Sequence, residues 1–196
     1  MAENTTKSIL LVGVGGQGTI LASKLLTTGL MGKGYDVKMS EIHGMAQRGG
    51  SVSSQVRYGE KVYSPVIELG DADILVSFEK MEALRWLEYL KPAGSVIVND
   101  VEINSTPILT GEAEYPKDAT LEIEKCGVPV LVINATACAE ALGNPKVMNV
   151  VLLGATVGRM GLLDIDWEKI IRENVPAKLA EINVQAFRKG IEEVNR

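Results

Sequence analysis

The sequence predicts a doubly wound α/β fold: one Rossmann-like domain over residues 1–196, with a mainly parallel sheet, a short antiparallel excursion and a helical C-terminal cap. Three observations carry that expectation. Short apolar runs rich in β-branched residues alternate with stretches of helical period, the first run passes directly into glycines, and the last third shows helical patterns with no further strand. No repeat, low-complexity tract or linker divides the chain, and its length suits one core.

Ser8 to Val14 reads as a strand buried on both faces, because it is apolar throughout rather than alternating. Thr19 to Met31 places Ile20, Leu21, Leu25 and Leu26 at helical spacing, with Gly32 and Gly34 as the stop. Tyr35 to Met39 is the next strand, closing a right-handed β-α-β unit. Ser40 to Gly50 is polar and glycine-rich and reads as a loop. Ser51 to Tyr58 alternates, which predicts a strand with one wetter face, paired antiparallel across Gly59 with the Lys61-Val62-Tyr63 stretch.

A second β-α-β pattern follows: a strand over Ile74 to Phe78, a helix over Lys80 to Leu90, a turn at Lys91 to Gly94 and a strand over Ser95 to Asp100. Val128 to Asn134 repeats the strand pattern and leads into a helix over Ala135 to Leu142. Val147 to Met160, Trp167 to Asn174 and Ala177 to Lys189 read as helices, the first nearly apolar all round and therefore expected to be buried or at an interface.

The composition narrows the function classes. A net charge of -5 offers no long-range attraction for a polyanion, so nucleic acid is not an expected partner. No apolar stretch approaches the roughly 20 residues needed to span a bilayer. The N-terminus lacks the features of a signal peptide, so a cytoplasmic protein is expected. Cys126 and Cys138 are the two cysteines, expected as packed thiols; about four ligands are needed for an iron–sulfur cluster or a structural zinc site, so no metal is expected on this chain.

Gly13-Val14-Gly15-Gly16-Gln17-Gly18 satisfies G-x-G-x-x-G between a strand and a helix. Such glycines permit a tight turn and leave helix N-terminal amides free for a phosphate or carboxylate. They equally suit a compact strand-to-helix turn with no ligand, and both readings stand. Glu41 lies where a dinucleotide fold would place a ribose-binding acid, which keeps a stand-alone NAD(P)-binding reductase open as an alternative. His43, the one histidine, is either a structural hydrogen-bonding group or a site residue. Arg48 beside Gly49 and Gly50 offers a guanidinium fork against open backbone, suited to a phosphate or a partner's carboxylate, although a surface arginine before a turn reads the same way. Both loops should leave the same carboxyl edge and form one composite surface.

Together, G-V-G-G-Q-G-T-I-L-A-S-K-L-L and S-E-I-H-G-M-A-Q-R-G-G-S-V-S-S-Q-V-R resemble the gamma-type domain of pyruvate and other 2-oxoacid:ferredoxin oxidoreductases. E-I-H-G-M-A-Q-R-G-G and A-D-I-L-V-S-F-E-K-M-E-A-L-R are most similar to the indolepyruvate branch of that family. The resemblance implies a subunit, inactive alone, of an enzyme converting a 2-oxoacid, coenzyme A and oxidised ferredoxin into an acyl-CoA, carbon dioxide and reduced ferredoxin. Pyruvate and 2-oxoglutarate versions share this subunit type. It also implies an alpha-type partner carrying thiamine diphosphate and the iron–sulfur clusters, with ferredoxin reached through the complex and coenzyme A as co-substrate. No cofactor is expected to be bound stably by this chain, and Gly70-Asp71-Ala72 departs from the Gly-Asp-Gly that opens a thiamine-diphosphate motif.

Overall fold

The structure is a computed structural model and describes residues 6–43 and 50–195. Six strands, β1 (Lys7–Val14), β2 (Asp36–His43), β3 (Ser51–Gly59), β4 (Ala72–Ser77), β5 (Leu90–Asn99) and β6 (Val130–Ile133), form one sheet in the order β2-β3-β1-β4-β5-β6. β1, β4, β5 and β6 are parallel neighbours, while β3 runs antiparallel to both β1 and β2. The helices are α1 (Thr19–Gly32), α2 (Lys80–Arg85), α3 (Thr106–Leu109), α4 (Ala119–Lys125), α5 (Ala135–Ala141), α6 (Met148–Met160), α7 (Trp167–Asn174) and α8 (Ala180–Val194).

The two faces of the sheet carry separate cores. Ile9 and Leu11 of β1 pack with α1, α5, α6, α7 and α8; Leu10 and Val12 pack with α2 and α4. This follows from the period-two alternation of a strand, which sends successive side chains to opposite faces. The largely apolar α6 is covered as its composition requires, with Val150, Val151, Leu152, Leu153, Ala155 and Val157 all buried. Each fully buried Val or Leu contributes about 1.5–3 kcal/mol, so α6 is a principal fastening of the helical layer.

Several expectations are corrected. β2 runs parallel to β1 but is not its neighbour, because β3 lies between them. β2 also extends through His43, so Ser40 to His43 are strand rather than loop. β3 pairs with β1 and β2, and Lys61-Val62-Tyr63 is not a strand; the Val62 N–H donates instead to Asp36 Oδ2 at 3.0 Å. Nor does β3 have a wetter face: Val52, Ser53, Ser54, Gln55 and Val56 are all buried. Its polar residues mislead because they hold a covering segment, Gln55 Oε1 accepting the Ile67 N–H at 2.7 Å and Arg57 donating to the Val66 carbonyl at 2.9 Å. The helix expected up to Leu90 ends at Arg85, and β5 begins at Leu90. Cys126 is exposed rather than packed; Cys138 is half-buried.

At the amino edge of the parallel strands, Asp73 accepts from the Ser8 N–H at 2.8 Å, from Lys91 Nζ at 3.0 Å and from Lys7 Nζ at 3.2 Å. Burial pushes its pKa up, but the Ser8 amide and the two lysines outweigh burial and hold it below the ordinary aspartate value. A carboxyl depressed on folding adds stability above its unfolded pKa of about 3.9 and loses it as pH falls through the native value. Asp73→Asn should therefore cost about 1 kcal/mol near neutrality. In urea titrations it should flatten the decline in midpoint between about pH 5 and pH 2; equal slopes for both proteins would refute this.

Candidate functional site

The carboxyl edge gathers the glycine segments. Gly16 and Gly18 have φ of +103° and +83°, conformations that a side chain disfavours. Gly13 is required by proximity instead: a Cβ there would lie 2.8 Å from Gln17 Oε1 and 2.9 Å from Phe78 Cβ. Gln17 folds back across the loop, its Oε1 accepting the Val14 N–H at 2.7 Å and its Nε2 donating to the Phe78 carbonyl at 2.7 Å. The Gly15 N–H donates to the Gly50 carbonyl at 2.9 Å, so the two glycine segments adjoin, as their shared edge predicts.

α1 follows β1 on one face of the sheet, and α2 follows β4 on the other. Such a reversal between neighbouring strands opens a crevice at their carboxyl ends. Here the Gln17 carboxamide bridges it, from Val14 to Phe78. α1 begins at the rim of the crevice with Gly18 in the left-handed conformation, no side-chain cap and no acid in its first turn. Its first amides lack intrahelical partners by construction, and they carry the positive end of the helix dipole. Asn149, near the start of α6, donates to the Gly18 carbonyl at 3.1 Å and pins the loop to the helical layer.

The remaining site residues are less concentrated. Glu41 sits on β2 opposite Ser54, two strand spacings, or about 9–10 Å, from β1. Its Oε1 accepts from Ser23 Oγ at 3.2 Å. With β3 interposed, Glu41 is displaced from the position beside β1 that ribose recognition requires, which weakens the dinucleotide reading. His43 closes β2 opposite Val52. Its side chain, together with Arg48 and Gly49, lies outside the described residues.

Sequence reasoning missed two carboxylates beside the crevice. Glu79 is fully buried and caps α2, its Oε2 accepting the Glu82 N–H at 2.9 Å. Its Oε1 accepts the Ile103 N–H at 3.2 Å and the Tyr115 hydroxyl. Burial, then the neighbouring Glu79 carboxylate, pushes the Tyr115 phenol well above its ordinary pKa, so it stays protonated as a donor. Glu82 accepts from Arg85 Nε at 3.1 Å, from Trp86 Nε1 at 3.3 Å and from the Ser51 hydroxyl, which anchors the start of β3 beside Gly50. The available signal was Glu79-x-x-Glu82 directly after a strand, a helix-start spacing. Among the described residues, no group of three or more His, Cys, Asp or Glu could hold a metal ion, and no helix is long and apolar enough to cross a membrane.

The family model described as pyruvate ferredoxin/flavodoxin oxidoreductase matches residues 8–193. The chain is 39% identical over 189 residues to indolepyruvate oxidoreductase subunit IorB of Thermococcus kodakarensis, covering 94% of each. It also superposes on the gamma subunit of a keto/oxoacid ferredoxin oxidoreductase from Geobacter sulfurreducens, with a TM-score of 0.71, 24% identity and coverage of 96% of this chain and 98% of that one. A 2-oxoglutarate:ferredoxin oxidoreductase from Magnetococcus marinus, solved with 2-oxoglutarate, coenzyme A and succinyl-CoA bound, gives 0.75 at 19% identity; there the match spans 98% of this chain but 32% of the longer one. Both solved structures show the fold alone.

Proposed function

The chain belongs to the pyruvate ferredoxin/flavodoxin oxidoreductase family, and on that premise we propose that it is the small subunit of a 2-oxoacid:ferredoxin oxidoreductase of the indolepyruvate type. The reaction joins a 2-oxoacid and coenzyme A, releases carbon dioxide and reduces ferredoxin. The chain works with an alpha-type subunit that carries thiamine diphosphate and the iron–sulfur clusters, and does not turn over alone. Two cysteines, one exposed and one half-buried, do not make a cluster site. When bound on the partner, the thiamine group supplies the carbanion chemistry and the clusters accept the electrons.

This chain's own contribution is to place a phosphate-bearing ligand, coenzyme A, at the rim where α1 begins. One observation carries that assignment: an uncapped, acid-free helix start beside Gly50, directly after the segment that contains Arg48. In the reconstituted complex, Arg48→Ala should raise the KM for coenzyme A about tenfold with kcat little changed, because a charge-assisted contact to phosphate is made in both ground and transition states. An unchanged KM would remove coenzyme A from this surface and leave the loops as a purely structural contact with the partner.

A further inference from the structure

Charge is distributed unevenly along this chain. Residues 100–125 hold seven Asp or Glu against two Lys, a net of -5, which equals the net charge of the whole sequence with its 25 acids and 20 bases. The rest of the chain taken together, with 18 acids and 18 bases, sums to zero. Five of the seven acids, Asp100, Glu102, Glu112, Glu114 and Asp118, lie on the connection that leaves β5 at the carboxyl edge, where Lys80 pairs with Asp100 at 3.0 Å and with Glu102 at 2.9 Å; the other two lie on α4.

Apolar side chains stand at the same edge. Leu109 on α3 is 72% exposed, Ile20 in the first turn of α1 is 51% exposed and Ile42 near the end of β2 is 51% exposed. Leu109 rides on an arch, residues 104–114, whose described hydrogen bonds are local. The Leu109 N–H reaches the Ser105 carbonyl at 3.0 Å and the Glu112 N–H reaches the Pro107 carbonyl at 2.8 Å. The feet of the arch are fixed by one buried carboxylate, since Glu79 takes both the Ile103 N–H and the Tyr115 hydroxyl. An exposed leucine on a clamped arch, with Glu112 and Glu114 close behind it in the chain, has the make-up of an interface: an apolar anchor within a charged border.

We propose that this carboxyl edge is the docking face for the companion subunit, with Leu109 as anchor and the acidic residues guiding a Lys- and Arg-rich surface of that subunit. The inference rests on the subunit assignment above. Tyr63, Val66 and Leu69 form a rival exposed group in the connection from β3 to β4, at the opposite edge. That edge carries paired charges, Arg57 with Asp71 at 3.1 Å and Lys91 with Asp73 at 3.0 Å, and it faces away from the glycine segments.

The test is association of the separately purified chain with its companion subunit, followed by biolayer interferometry across a salt series. Leu109→Glu should weaken binding on the order of tenfold or more, chiefly through faster dissociation. Glu112→Lys combined with Glu114→Lys should slow association at low salt and flatten its dependence on ionic strength. Tyr63→Glu should leave both rates unchanged. Wild-type affinity for the Leu109→Glu variant, or loss of binding confined to Tyr63→Glu, overturns the docking face while the subunit assignment stands. Failure of the wild-type chain to bind the companion takes down both. Self-association of the wild-type chain that Leu109→Glu abolishes would make the occupant a second copy, and also overturns the proposal.

Discussion

Gly154→Ala is expected to destabilise the isolated chain by about 3 kcal/mol or more. A domain of this size loses about 2–4 °C per kcal/mol, so the melting temperature should fall by roughly 6–12 °C. A Cβ on Gly154 of α6 would lie 2.0 Å from the Phe187 carbonyl oxygen of α8, and a Cβ on Gly190 would lie 1.9 Å from the Val151 carbonyl oxygen. The obstacle on each side is backbone, which cannot rotate away as a side chain can. The helices must separate, and that opens the packing around the buried Val151, Val184 and Phe187. Alanine is intrinsically better than glycine in a helix by about 1 kcal/mol, which offsets only part of this. Gly158 provides the control: its Cβ would meet Val194 at 3.5 Å, ordinary contact, so Gly158→Ala should be neutral or mildly stabilising. Because Gly154→Ala and Gly190→Ala force the same separation, the double variant should cost less than the sum of the singles. Melting by circular dichroism checks all four, and a Gly154→Ala protein melting with wild type would refute the close crossing.

That crossing also marks where the sequence became hard to read. The α6 segment was legible as a buried helix because nearly all of its positions are apolar or small, Asn149 and Arg159 excepted. Which helix covers it was not, since Gly154 and Gly190 acquire meaning only once α6 and α8 are set side by side. The strands were legible as elements for the same local reason, their apolar runs and flanking glycines. Their order was less so, because Val52, Ser54 and Val56 are interleaved with Ser53, Gln55 and Arg57, the pattern of a strand with one wetter face, although β3 lies inside the sheet between β2 and β1. Local period reports how many faces are covered only when the covering atoms are apolar; here Ile67 covers Gln55 by donating its backbone N–H to Gln55 Oε1, and a hydrogen-bonded cover looks like solvent in a sequence.

The candidate site divides along the same line. Gly13 to Gly18 were legible because strand, turn and helix are contiguous, and backbone conformation there is dictated by the residues themselves. The role of Gln17 in closing the crevice was not, since its partner Phe78 is 61 residues away. Glu79 was hidden for the opposite reason. A Glu after a strand and before a helix reads as a side chain turned to water, and nothing nearby in sequence reveals that Ile103 and Tyr115 return to it.

Glu79→Ala should accordingly have the second large effect, a global loss of about 3 kcal/mol with a local signature that distinguishes it from the helix-crossing variants. The substitution leaves the Glu82 N–H, the Ile103 N–H and the Tyr115 hydroxyl without their acceptor, and each buried donor so stranded costs about 1–3 kcal/mol unless water enters. Glu79→Gln keeps the volume but turns one acceptor oxygen into an NH2 group facing a donor, so an intermediate loss is expected. Tyr115→Phe removes one donor from the carboxylate and one acceptor from the Met81 N–H, held at 3.0 Å, and should cost about 1 kcal/mol. Hydrogen exchange should rise first in residues 101–118 for all three variants, while the amides of β1 and α6 follow global stability. Uniform acceleration across the chain would mean that Glu79 is a core residue with no special hold on the arch. If exchange does localise, Tyr115→Phe also becomes a probe of docking: it alters no exposed side chain of the arch, so any loss of companion affinity reports the cost of ordering Leu109 rather than the loss of a contact.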